Sequence, residues 1–172
     1  WHHECEAAGM RPSTRYAAGA RSATLTAPFN NNLSEATPVS NTQCALLGLA
    51  SWHVLVLFLL AGFRLYTSIT QKKAANTFAA DGSDVPGFGQ RLVRVHANCY
   101  ENIPLYLAVL LFALVSNQSA VTDPTAMILL GARVGQSVVH MISTSLPAVL
   151  LRFTLFLVQV LTVVCWLYQF LA

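Results

Sequence analysis

The stretch RLVRVHANCYENIPLYLAVLLFALV, residues 91–115, decides the fold. Its second half is an apolar run, and its first half carries Arg91, Arg94, Asn98, Glu101 and Asn102. At 100° per residue these five side chains share an arc of about 100° on a helix. The segment therefore reads as a lipid-spanning helix with one polar stripe. One ionisable residue near the bilayer centre costs roughly 2.5–3.5 kcal/mol on insertion scales. Several on one face need a shared compensation: each other, water or a polar ligand.

The rest of the chain agrees with a membrane setting. Its 172 residues are 55% hydrophobic and only 10% charged, with a mean hydropathy of +0.53, whereas soluble domains carry about 25% charged residues. The net charge of +3 is small and dispersed. With no basic cluster interleaved with aromatics, nothing points to nucleic acid. Cys5, Cys44, Cys99 and Cys165 lie far apart, which suits packing residues better than a redox or metal motif, and no metal site is expected. Residues 1–40 are rich in Ala, Ser, Thr, Asn and Pro and lack the apolar core of a signal peptide. They read as a disordered N-terminal arm, and the start at Trp1 is compatible with a non-native extension.

Three further apolar segments complete an all-α, integral membrane four-helix bundle over residues 43–171. The first, Cys44 to Phe63, at about 1.5 Å per residue spans about 30 Å, the thickness of a hydrocarbon core. The others run from about Pro124 to Ser143 and from about Ala148 to Leu171, with Trp166 and Tyr168 where interfacial aromatics often sit. Lys72 and Lys73 in the first connection, flanked by Arg64 and Arg91, predict that this connection is cytoplasmic and that both termini face outward. In the same connection, Asp81-Gly-Ser-Asp84 and Pro86-Gly87 read as turns.

Each span repeats the pattern of one polar stripe. The third carries Arg133, Gln136, Ser137 and His140 on one arc; the fourth carries Arg152, Gln159, Thr162 and Trp166 along one side; the first places His53 and Arg64 three turns apart. Such stripes face a bundle interior or an aqueous cavity. Ser, Thr, Asn and Gln could serve only as interhelical glue. The cations argue for more, since Arg64, Arg91, Arg94, Arg133 and Arg152 stand against Glu101 alone. A small anionic ligand with separated carboxylates would balance them, because guanidinium holds carboxylate bidentately and stays charged when partly desolvated.

The pattern R-x-x-R-x-H-x-N-x-x-E-N-x-P from Arg91 to Pro104 resembles the signature of the membrane-associated proteins in eicosanoid and glutathione metabolism, the MAPEG family. The stretches ARVGQSVVH and LRFTLFLVQ resemble that family's third and fourth helices, and AANTFAADGSDV is similar to an uncharacterised bacterial-type subgroup. The resemblance covers about residues 43–171. It implies a homotrimer that binds glutathione, as co-substrate, between subunits near the cytoplasmic side. It would set Arg94, Asn98 and Glu101 on the peptide, Glu101 on its ammonium, with Arg91 and Arg64 as further carboxylate contacts. Arg152 matches the arginine that stabilises the thiolate in enzymatic members, and would be the catalytic residue. Two positions depart from the pattern: Ala97 replaces an arginine of some members, and His140 stands about where eicosanoid-synthesising members have a tyrosine.

The expectation is therefore a glutathione transferase or peroxidase acting on apolar electrophiles or lipid hydroperoxides that arrive from the bilayer. It would be a multi-pass protein of the bacterial inner membrane or, in a eukaryotic cell, of the endoplasmic reticulum. Its partners would be its own copies, the lipid bilayer and an apolar small-molecule substrate. A non-catalytic lipid-binding or scaffold protein of the same fold is the alternative, and a small transporter or proton relay built on Glu101 and the histidines is a third class. His96, opposite the stripe, is expected to pack across helices.

Overall fold

A computed structural model describes residues 38–85 and 87–172. Every regular element among them is helical: α1 (Asn41–Thr70), a 3-10 turn (Ala75–Thr77), α2 (Phe88–Val115), the four-residue α3 (Ser119–Thr122), α4 (Ala126–Ile142) and α5 (Leu146–Leu171). The arm expected over residues 1–40 lies, up to residue 37, outside the described residues. Three helices, α1, α2 and α5, are long and apolar enough to cross a membrane. The third predicted span is shorter than its reading: α4 is apolar but has 17 residues, about 25 Å of helix against a core of about 30 Å.

The helix ends differ from the apolar boundaries because caps, not hydropathy, set them. α1 starts three residues before Cys44, where Ser40 closes a capping box: its Oγ accepts from the Gln43 N–H, and its own N–H donates to Gln43 Oε1 at 2.9 Å. It continues two turns past Phe63 to Thr70, and the chain then turns at Lys72 with φ 52°. α2 tolerates Pro104 in its interior. It ends in a Schellman motif, with Asn117 left-handed at φ 56°, its N–H on the Leu114 carbonyl, and the Gln118 N–H on the Ala113 carbonyl at 2.8 Å. α4 begins at Ala126 rather than Pro124, since residues 123–125 are turns. In α5, Pro147 occupies the first turn, where its missing N–H costs nothing.

Contacts between elements order the helices up and down. Near one end Phe63 of α1 meets Phe88 of α2, with ring centroids 6.1 Å apart. At the other end the start of α1 is tied to the α3–α4 turn. Asp123 Oδ1 accepts from the Thr42 N–H at 2.8 Å and from its hydroxyl, and the Thr42 and Thr122 hydroxyls lie 2.7 Å apart. A carboxylate at a helix N-terminus satisfies free N–H groups and complements the dipole. Trp166, near the end of α5, is buried, and its Nε1–H donates to Thr125 Oγ1 at 2.9 Å.

The core runs along the seams of this bundle. It joins Ala45, Leu49 and Val56 of α1, Val95, Cys99, Ile103, Tyr106 and Leu110 of α2, Leu129 of α4, and Val163 and Trp166 of α5. Two glycines let helices approach closely. A Cβ on Gly89 would stand 2.4 Å from the Phe63 ring, and one on Gly48 would stand 2.6 Å from Leu130 Cδ2. Outward, α1 and α5 expose Phe58, Leu65, Leu150, Phe153, Leu161 and Leu171. So much exposed apolar surface suits lipid or a neighbouring subunit rather than water.

Candidate functional site

The long connection after α1 folds against the basic end of the bundle. Lys73 Nζ pairs with Asp84 Oδ2 at 2.7 Å, and that ammonium holds the Asp84 carboxyl below the usual carboxylate value. Asp81 accepts from the Ser83 N–H and hydroxyl in a local turn, which lowers its pKa too. Arg64 and Lys73 both lie over the Phe78 ring, at 5.5 and 5.3 Å from its centroid.

Towards the same end, an open pocket of about 310 Å³ is formed by α2, α4 and α5. Asn98, Gln136, His140 and Arg152 supply its polar lining, and Val149, Phe153 and Phe156 its apolar lining. The Nε of Arg152 is buried without a protein partner among the described residues. One wall can thus take a charged or hydrogen-bonding group while the other takes an apolar one.

Behind the polar wall sits Arg133, wholly buried. Its Nη1 donates to Asn98 Oδ1 at 2.7 Å and to Gln136 Oε1 at 3.2 Å, and its Nη2 donates to the Asn98 main-chain oxygen. Gln159 Nε2, also wholly buried, donates to the same Gln136 oxygen at 3.0 Å and to the Leu155 carbonyl at 2.9 Å. The third-span stripe thereby becomes a bridge between α2 and α5. An arginine placed so deep needs such acceptors, since an unpaired buried charge is far more costly.

Of the residues expected to bind or act, Asn98 and Arg152 line this one pocket. Arg94 and Glu101, two turns apart on α2, are exposed on the outside of the single chain. Arg91 turns its Nε to the Met141 carbonyl at 2.8 Å, closing the end of α4. Arg64 is set over Phe78. The stripe of α2 is therefore divided between an inner and an outer face. His96 packs across helices against His53, with ring centroids 5.8 Å apart. Gln136, Phe153 and Phe156 were not among the expected site residues. The Arg133, Gln136, His140 spacing could have signalled the first, but nothing in an apolar α5 singled out the two phenylalanines.

No curated protein and no solved structure matches the chain. A family model does match: that of the MAPEG family, over residues 42–172, which takes in the three membrane-length helices but for Asn41, and the whole pocket. The chain therefore belongs to the MAPEG family.

Proposed function

We propose that this protein is an integral membrane glutathione-binding protein, a transferase or peroxidase that joins glutathione to apolar electrophiles or reduces lipid hydroperoxides with it. The observation that carries this reading is the two-sided pocket, in which Arg152 faces a polar wall of Asn98, Gln136 and His140 and an apolar wall of Phe153 and Phe156. Membership of a family named for glutathione and eicosanoid metabolism supports the choice of thiol.

In this reading the thiol lies near Arg152, whose guanidinium favours the thiolate and so raises the fraction of reactive nucleophile at neutral pH. The electrophile enters from lipid along the phenylalanines of α5. The outward Arg94 and Glu101 are completed by another copy in a homotrimer, Glu101 holding the ammonium. All four long segments cross the membrane, α4 with help from the flanking turns, and the connection carrying Lys72 and Lys73 is cytoplasmic. The membrane is the bacterial inner membrane or, in a eukaryotic cell, the endoplasmic reticulum.

Calorimetric titration of reduced glutathione into detergent-purified protein tests the reading, with Arg94→Ala and Arg152→Ala alongside. Saturable binding that Arg94→Ala abolishes, with conjugation lost in Arg152→Ala by about 10²-fold or more, supports it. A well-folded protein that binds no glutathione refutes it and favours the lipid-binding scaffold.

A further inference from the structure

Three fully buried side chains each keep one polar atom without a protein partner among the described residues: Tyr106 Oη of α2, Arg133 Nε of α4 and Gln159 Oε1 of α5. The other such atoms belong to residues that are themselves partly exposed. Native cores rarely leave buried polar groups unpaired, because desolvation without a new bond is costly. These three meet at one level of the bundle. Gln159 and Arg133 both donate to Gln136 Oε1, at 3.0 and 3.2 Å. Tyr106 shares a core cluster with Leu129 and Val163, which lie one turn from Arg133 and Gln159 on their helices. A helical tyrosine leans towards the N-terminus of its helix, here towards Asn98, whose oxygens Arg133 holds. The Arg133 charge acts on the Tyr106 hydroxyl.

We infer that Tyr106 Oη, Arg133 Nε and Gln159 Oε1 hold one buried water molecule between α2, α4 and α5. The donor set fits water. Arg133 Nε–H donates to the water oxygen, a water O–H donates to Gln159 Oε1, and the Tyr106 hydroxyl can take either part. Three bonds are about what an internal water makes. An ion fits less well, since the Gln159 oxygen disfavours an anion and the guanidinium disfavours a cation. None of the three side chains lines the pocket, so this site is separate from it and does not depend on what the pocket binds. The hydrogen bonds already described run from α2 to α5 through Arg133 and Gln136 of α4. The water adds a direct link from α2 to α5, of the polar kind that holds spans together in lipid.

Tyr106→Phe tests this because it removes the hydroxyl and keeps the ring. If the hydroxyl were bonded to nothing, its loss would leave the thermal midpoint in micelles unchanged or raise it. A hydroxyl bonded to a held water behaves oppositely, and the midpoint should fall by about 2–4 °C. Gln159→Leu removes the acceptor. In that background the effect of Tyr106→Phe should shrink to about half or less, because the two side chains share one partner. A direct readout comes from a brief X-ray pulse, which makes hydroxyl radicals from bound water, followed by mass spectrometry of the oxidised protein. Tyr106 should be labelled although it is 1% exposed, and the label should drop severalfold in Gln159→Leu. Should Gln159→Leu fail to fold, Tyr106→Phe and the labelling of the parent protein decide the matter. A midpoint that Tyr106→Phe leaves or raises, fully additive effects of the two substitutions, or an unlabelled Tyr106 in the parent overturns the inference.

Discussion

Replacing Arg133 by Met separates what the buried guanidinium does for the fold from what it does for the pocket. The substitution removes three donated bonds, to Asn98 Oδ1, the Asn98 main-chain oxygen and Gln136 Oε1. Hydrogen bonds to charged groups are worth about 1.5–3 kcal/mol each, so a naive sum would be severe. The structure argues for much less. The Asn98 main-chain oxygen keeps its bond from Asn102 Nδ2 at 2.9 Å, and Gln136 Oε1 keeps its bond from Gln159 Nε2 at 3.0 Å. Only Asn98 Oδ1 loses its sole partner, at about 1–3 kcal/mol for an unsatisfied buried acceptor. Met also escapes the desolvation penalty of several kcal/mol that a buried ion carries. The expected net loss is therefore at most about 1–3 kcal/mol, and less if the freed Asn98 amide rotates towards the pocket. Denaturation in mixed micelles, followed by helical circular dichroism, measures the stability term, and titration with glutathione measures the second. Affinity should fall by about tenfold or more, since the Asn98 amide is no longer held with N–H outward. A variant that matches the parent in both measurements would refute the account of Arg133 as the organiser of this wall.

Three further outcomes are expected. Gly89→Ala sets a Cβ 2.4 Å from the Phe63 ring, so the seam between α1 and α2 must open or the ring must turn, at about 1–3 kcal/mol by unfolding in micelles; an unchanged midpoint would mean that the seam is loosely packed. Asp123 is held below its ordinary carboxylate value first by the Thr42 hydroxyl. Its contribution is therefore present above about pH 4 and is lost as pH falls through the lowered folded-state value, and Asp123→Asn should flatten the acid limb of the stability profile. Glu101→Gln should weaken glutathione binding while leaving an N-acetylated analogue, whose nitrogen carries no charge, equally weak in both proteins; unchanged affinity for glutathione itself would take Glu101 out of the site.

Much of this molecule can be read from the chain before folding it. Hydropathy over segments of membrane length specifies helices, because a lipid-embedded backbone must satisfy its own hydrogen bonds, and the α2 and α4 stripes follow from a period of 3.6. Residues 91–104 carry the family signature, which names Asn98, and the resemblance of the fourth helix names Arg152. Helix ends were less legible. Ser40, Asn117 and residues 123–125 set them by capping and turn geometry, which hydropathy does not register. The partner of the Trp166 indole was not legible either, since the turn at Thr125 that supplies its acceptor belongs to another part of the chain.

The sequence by itself determined that the chain is helical and apolar over membrane lengths, with a polar stripe on each span, because composition and periodicity are properties of single segments. Its motif resemblance pointed to the family. Only the tertiary structure decided how the stripe on α2 is divided. A helix wheel treats Arg91, Arg94, Asn98 and Glu101 as one face, whereas packing against α4 draws Asn98 and Arg91 inward and leaves Arg94 and Glu101 outside. It also decided the sense of the two amides, since an Asn or Gln side chain has a donor end and an acceptor end. Which end meets the pocket depends on the guanidinium that another helix brings behind it.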